Sequence, residues 1–131
     1  MTSISSEGTL NGAPFSYFNI VSSNPPLISI SVQRKNGVMK DTARNIIEGK
    51  EFVVHIVDES NVEQINKTAA SLPPNESEIE LAGLTPVESK NIKVLGIWES
   101  KIRFECILEH SIELGGQEEN SGCDLLIGKV V

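Results

Sequence analysis

From Ile102 to Leu114 the chain keeps a strict period of two, with Ile102, Phe104, Cys106, Leu108, His110, Ile112 and Leu114 on alternate positions. Arg103, Glu105, Glu109 and Glu113 fill positions between them. That is the period of a strand with one face on a core and the other toward water. A strand this long suits the wall of a barrel, which bends around its core. On this reading His110 shares the parity of Cys106 and sits near the end of a core-facing strand.

The rest of the chain agrees with a β class. Fifteen Ile and eleven Val stand against ten Leu and five Ala, and stiff β-branched side chains fit a pleated sheet better than a helix. Leu27–Arg34 alternates Ile28, Ile30 and Val32 with Ser29, Ser31 and Gln33, which predicts a strand with one buried face. Glu51–Val57 is almost continuously apolar, a strand covered on both faces. Cys123–Val131 is expected to pair back on the long strand across a loose turn at 115–122. The opening residues read as a strand end and a hairpin into Thr9–Ala13. Two helices are expected. Asp41–Gly49 has Asp41 as its cap, Ala43, Ile46 and Ile47 on one face and Gly49 at its end. Asn61–Ala70 is the second, followed by a polar loop to about Glu80. At 131 residues the chain is one domain's worth. The expected architecture is mainly β, a small barrel with two short inserted helices.

The net charge of −7 argues against a nucleic-acid or anionic-lipid partner. No stretch approaches the ~20 apolar residues of a membrane span, and no leader opens the chain, so a cytoplasmic protein is expected. Cys106 and Cys123 are too far apart in sequence for a CxxC pair, and the two histidines lie apart with no carboxylate at ligand spacing, so no metal site is expected. Cys106 reads as core. His55, on a covered strand, reads as structural, and Trp98 as packing the barrel end.

Against the acidic background, 34–50 carries Arg34, Lys35, Lys40, Arg44 and Lys50 with only Asp41 and Glu48. This segment opens a helix, whose free N–H groups attract anions. Lys40 and Thr42 flank Asp41, so an ammonium and a hydroxyl converge where a phosphate would sit; a solvated basic helix face explains the same residues. Arg44 is expected to point away. The segment 11–24 mixes hydroxyls, amides and aromatic rings with little regularity, which suits either a ligand contact or a polar turn over a core plug.

Four motifs occur in order: Asn11-Gly-Ala-Pro-Phe-Ser-Tyr-Phe-Asn19, Ser22-Ser-Asn-Pro-Pro26, Lys40-Asp-Thr-Ala-Arg-Asn-Ile46 and Glu51-Phe-Val-Val54. Together they resemble the flavin reductase-like family of FMN-binding split barrels. Weaker similarity runs through Ala82-Gly-Leu-Thr-Pro86, Phe104–Leu108 and Ile127-Gly-Lys-Val130. The resemblance implies a Greek-key split barrel, FMN at a homodimer interface, and electron transfer from NADH or NADPH to flavin, with a monooxygenase or other acceptor downstream. It places Ser16, Tyr17, Phe18 and Asn19 on the phosphate and ribityl chain. The backbone of Val21, Ser22, Ser23 and Asn24 borders the isoalloxazine ring. Ser31 and Arg34 face the phosphate with Lys40 and Thr42, and Asn11 is a softer contact. Hydride transfer to flavin needs no acid–base pair, so no catalytic side chain is expected. His110 then has a second reading, as a contact at the flavin edge.

Relative to the family the chain looks shortened at both ends, and His55 stands where an Asn is usual. Two other readings therefore stay open: a flavin-binding electron carrier without its own nicotinamide site, and a non-catalytic split-barrel module.

Overall fold

A computed structural model describes residues 1–116 and 122–131. The elements run β1 (Thr2–Ile4), β2 (Leu10–Gly12), β3 (Phe18–Ser23), β4 (Pro26–Gln33), α1 (Asp41–Gly49), β5 (Glu51–His55), α2 (Val62–Lys67), α3 (Glu78–Leu81), β6 (Pro86–Val87), β7 (Gly96–Ile97), β8 (Arg103–Leu114) and β9 (Cys123–Val130). Seven strands form one antiparallel sheet in the order β2-β1-β5-β8-β9-β4-β3, and β6 pairs with β7 separately. The expected turn at 115–122 falls largely outside the described residues.

The edge strands β2 and β3 are joined only by residues 13–17. Five residues reach at most about 18 Å, so the sheet must curl until its edges approach. The result is a barrel with an unpaired seam. Met1 N donates to Ala13 O at 3.0 Å and Ala13 N donates to Met1 O at 3.1 Å, which carries the β1–β2 ladder one pair beyond Thr2–Gly12, while Phe15 packs against the core. That core is built from Ile28, Ile30 and Val32 of β4, Ala43 and Ile46 of α1, Phe52 and Val54 of β5, Cys106 and Leu126. The alternation expected of β4 and the covered β5 are both present; residues 52–55 are all buried, though the strand stops at His55 and leaves Ile56 and Val57 exposed.

Helix α1 spans the expected residues and buries Thr42, Ala43, Asn45 and Ile46, the i, i+3, i+4 stripe of an amphipathic helix. Its ends differ from expectation. Lys40, not Asp41, is the N-cap, and no side chain caps the helix. Asp41 instead accepts from Arg44 at 2.6 Å. Gly49 remains helical, and Lys50 takes the left-handed cap at φ 64°. The second helix is shorter than expected, and the polar stretch before Glu80 contains a third, α3. Its apolar signal is too small to see in sequence, because Ile79 is its single buried side chain.

The long strand contains the largest correction. A bulge at Glu109 breaks the register between Leu108 and His110, and one extra residue reverses every side chain beyond it. Cys106 pairs with Val130 on the core side, whereas His110, Ile112 and Leu114 pair with Ile127, Leu125 and Cys123 on the outer face. His110 is thus exposed rather than core-facing. Trp98 is also corrected: it is 70% exposed and packs no barrel end. No helix among the described residues is long and apolar enough to cross a membrane.

Candidate functional site

The basic segment and the first motif meet in one cavity of about 550 Å³. Lys35, Lys40, Thr42 and Arg44 line one side, and Ala13, Pro14 and Phe15 another, with residues 68–72 and Glu78 completing the wall. The tight seam between β2 and β3 puts Ala13–Phe15 there, and the first turn of α1 presents Lys40 and Thr42. Lys40 is exposed while Thr42 is only 8% exposed. Arg44, expected to turn away, belongs to this wall, bonding Asp41 and donating to Met39 O at 3.2 Å. The volume and the mixture of apolar wall with a few polar groups are those of a small-molecule site.

A second, more apolar cavity of about 320 Å³ lies across Phe15, lined by Ser16, Phe18, Ile30, Val54, His55 and Ile65 among others. Burial pushes the His55 imidazole down to about 3, helped by positive charge from the N-terminus and Arg103. It is a neutral ring whose Nε2 accepts from Ile97 N at 3.0 Å, the structural role expected of it. Cys106 is likewise buried, its thiol pushed up to about 12. Among the described residues no cluster of His, Cys, Asp and Glu is placed to hold a metal ion.

The other residues singled out in sequence are spread along the β3–β4 hairpin. Phe18–Ser23 is an edge strand with one bulge despite its unpatterned sequence. Tyr17 is 65% exposed and its carbonyl accepts from Ser31 N at 2.9 Å. Asn19 is exposed, and its side chain accepts from Ile20 N. Val21 lies in a bulge of β3, while Ser22, Ser23 and Asn24 form the hairpin end. Ser22 pairs with Leu27, seven residues before Arg34, a span of about 24 Å of strand. Ser31 pairs with Leu125 on the outer face.

Arg34 is not grouped with Lys40 and Thr42. Its Nε and Nη2 donate to Asp124 at 3.1 and 2.8 Å, and Nη1 pairs with Glu113 at 3.2 Å. Bidentate pairing of this kind fixes the guanidinium plane. With two carboxylates on one guanidinium, the cluster carries no spare positive charge for an anion. Asn11, also apart from the cations, is 4% exposed on β2 and donates to Glu78 Oε2 at 3.0 Å and Glu76 O at 3.2 Å. Neither Glu76 nor Glu78 was legible in sequence as part of a site.

The profile of the flavin reductase like domain matches residues 1–131. The chain belongs to the flavin reductase-like split-barrel family. The protein YwrF of Bacillus subtilis is 55% identical over all of this chain and 64% of its own length. The nitrilotriacetate monooxygenase component B of Bacillus cereus is 68% identical, with a TM-score of 0.94, over 99% of this chain and 64% of that one. The 2-nitrobenzoate 2-nitroreductase of Pseudomonas fluorescens is 35% identical with a TM-score of 0.85, over 99% and 59%. This chain therefore spans slightly less than two thirds of the relatives it matches. The split-barrel fold of the family agrees with the mainly β architecture expected from sequence, with three short helices among the described residues in place of two.

Proposed function

We propose that this chain is the flavin-binding part of an NAD(P)H-dependent flavin reductase that holds FMN and works as a homodimer. The observation that carries the reading is the cavity in which Lys35, Lys40, Thr42 and Arg44 face Pro14 and Phe15. A phosphorylated ligand with a planar apolar ring needs both halves: cations and a helix start for the phosphate, and apolar side chains beside the ring. The residues present therefore fit FMN. Lys40 and Thr42 hold the phosphate, with Lys35 adding positive potential, while the charge of Arg44 is largely balanced by Asp41. The β3–β4 band of Ser16, Asn19 and Ser22–Asn24 provides hydroxyls, amides and edge-strand backbone for the rest. Bound FMN supplies the redox chemistry, accepting a hydride from nicotinamide. The protein's contribution is to bind, orient and exclude water. A monooxygenase component and a nitroreductase among its relatives support the oxidoreductase class and an oxygenase or other acceptor as the electron sink.

The homodimer is supported by the outer face created by the Glu109 bulge. Ile107, Ile112 and Leu114 are 39%, 43% and 44% exposed there, beside Leu125 and Ile127. A contiguous apolar sheet face of this kind is covered in most stable proteins, and a second copy brings the same face to it.

The test is visible absorbance across a gel-filtration column, with and without added FMN, followed by NADH and NADPH oxidation. Flavin bands at roughly 370 and 450 nm, co-eluting with a dimer and followed by nicotinamide turnover, are the expected result. A protein that stays colourless after soaking in FMN refutes the reading. Bound flavin without turnover points to an electron carrier instead.

A further inference from the structure

The cavity that gathers the cations also has two carboxylates in its wall, Asp41 and Glu78. Asp41 is paired with Arg44 at 2.6 Å. Glu78 has no cationic partner among the described residues, and it is held in an unusual way. Its Oε2 accepts two hydrogen bonds, from Asn11 Nδ2 at 3.0 Å and from Gly12 N at 3.3 Å. No donor among the described residues reaches its Oε1. Asn11 is nearly fully buried, and its second amide hydrogen is spent on Glu76 O at 3.2 Å. Both hydrogens face acceptors, so the amide cannot be turned over: an oxygen would then meet oxygens. Its own Oδ1 has no partner among the described residues. A buried amide that leaves one polar atom unsatisfied in order to aim a carboxylate is an arrangement that costs stability.

An ionised carboxylate only accepts hydrogen bonds. Facing a cavity that also collects Lys35, Lys40 and Arg44 around an anion, its free oxygen would repel the phosphate itself. With a ligand seated in the cavity, the group that complements this half-buried oxygen in place of solvent is an O–H or N–H donor away from the phosphate. The phosphate-bearing chain of a flavin mononucleotide offers such donors as the hydroxyls between phosphate and ring. We propose that Glu78 binds a hydroxyl of that chain and that Asn11 is the residue that positions it. This rests on the flavin reading above and deepens it. Asn11 then serves the site through Glu78, without touching the ligand as the family resemblance implies.

The substitution Glu78→Gln separates the possibilities by sign. Glutamine keeps an oxygen for Asn11 and Gly12 and presents an NH₂ to the cavity in place of an acceptor. It also removes a negative charge near the phosphate. Dissociation constants are read by flavin fluorescence for FMN, riboflavin and lumiflavin, which has neither hydroxyl chain nor phosphate. FMN and riboflavin are expected to bind roughly tenfold or more weakly, with lumiflavin unchanged. If Glu78 is only a nearby charge, FMN tightens and riboflavin does not change, and the proposal fails. Unchanged binding of all three also overturns it, while leaving the flavin site intact. If the unsubstituted protein binds no flavin, the flavin reading and this proposal fall together. Asn11→Ala is expected to weaken FMN in the unsubstituted background and to add nothing in the Glu78→Gln background. Equal losses in both, with lumiflavin weakened too, would mark Asn11 as a general structural residue and refute its positioning role.

Discussion

His55 ties the stability of this barrel to pH across the window between its folded titration and that of a free imidazole. Its ring lies on β5 at 8% exposure, with Nε2 accepting from the Ile97 amide at 3.0 Å. Arg103 donates to Ile97 O at 3.2 Å and to Ser100 O at 3.1 Å close by. A proton on Nε2 would remove the acceptor, set two donors against each other and bury a charge. Burial and these neighbouring charges hold the folded pKa at about 3, against 6.5 for a free imidazole.

The sign follows from proton binding. Between pH 3 and pH 6.5 the unfolded chain takes up a proton that the folded chain refuses, so stability rises with pH across that window. The contribution is complete above pH 6.5 and is lost progressively as pH falls toward 3. Each unit is worth about 1.4 kcal/mol, so His55 alone is expected to remove about 2 kcal/mol between pH 7 and pH 5. Urea unfolding of the unsubstituted chain and of His55→Gln, at half-unit steps from pH 7.5 to pH 4.5, isolates this term. Glutamine retains an acceptor of similar reach and cannot be protonated. Asp58 and Glu99, which their hydrogen-bond partners Ser60 and Thr85 hold below the ordinary carboxylate range, remain in both proteins and cancel in the difference. The variant is expected to be less stable at pH 7.5 and to close that gap, or cross it, by pH 5. A gap that stays constant across the series would refute the account of a buried neutral imidazole.

Four further outcomes test the packing and the site. Lys40→Ala and Thr42→Val should each weaken FMN, by about 1–3 kcal/mol for the ammonium and about 1 kcal/mol for the hydroxyl; no change in either dissociation constant would relocate the phosphate. Gly128→Ala should cost about 1–3 kcal/mol in urea unfolding, because its Cβ would lie 2.9 Å from Phe52 Cε1 and nearer still to Cζ, in a ring with no exposed surface. Arg34→Met should lower the urea midpoint by leaving Asp124, 2% exposed, without its bidentate partner, and Asp124→Asn in the same chain should restore part of it; additive losses would deny the coupling. Ile112→Lys should shift gel-filtration elution from dimer to monomer, and an unchanged dimer would place the interface elsewhere.

What could be read in the sequence divides along a physical line. Strands covered on one face or both, such as β4 and β5, were legible because burial repeats along them with the period of the backbone. The body of α1 was legible for the same reason. Its ends were not, since Lys50 adopts a left-handed cap although Gly49 stands beside it. Glu109 was invisible as a bulge because Ile112 and Leu114 are as apolar as the core residues whose alternation they continue. Apolar character does not say whether a side chain meets its own core or the surface of another copy. The same blindness affected Arg34 and Arg44. Counted along the chain both are cations of one basic segment, but Arg34 is bound to Asp124, ninety residues on, while Arg44 stays with the cavity. Charge counting located the basic segment without saying which cations are spare.

The residues that shape the cavity most specifically carried no local signal. Glu78 lies in a stretch that reads as polar loop, and Asn11 sits in a motif that runs from β2 through the cavity wall into β3. They meet because the short link at 13–17 draws the β2 edge toward the β3 edge, and α3 packs against β2 with Ile79 under Gly12. A Cβ at position 12 would reach to 3.2 Å from Ile79 Cγ1 and closer to its Cδ1, so that glycine lets α3 approach closely enough for one carboxylate oxygen to receive both the Gly12 N–H and the Asn11 amide. The glycine of the first motif thus serves the site by distance rather than by flexibility. Any larger residue there should push Glu78 off the wall before it unfolds the barrel.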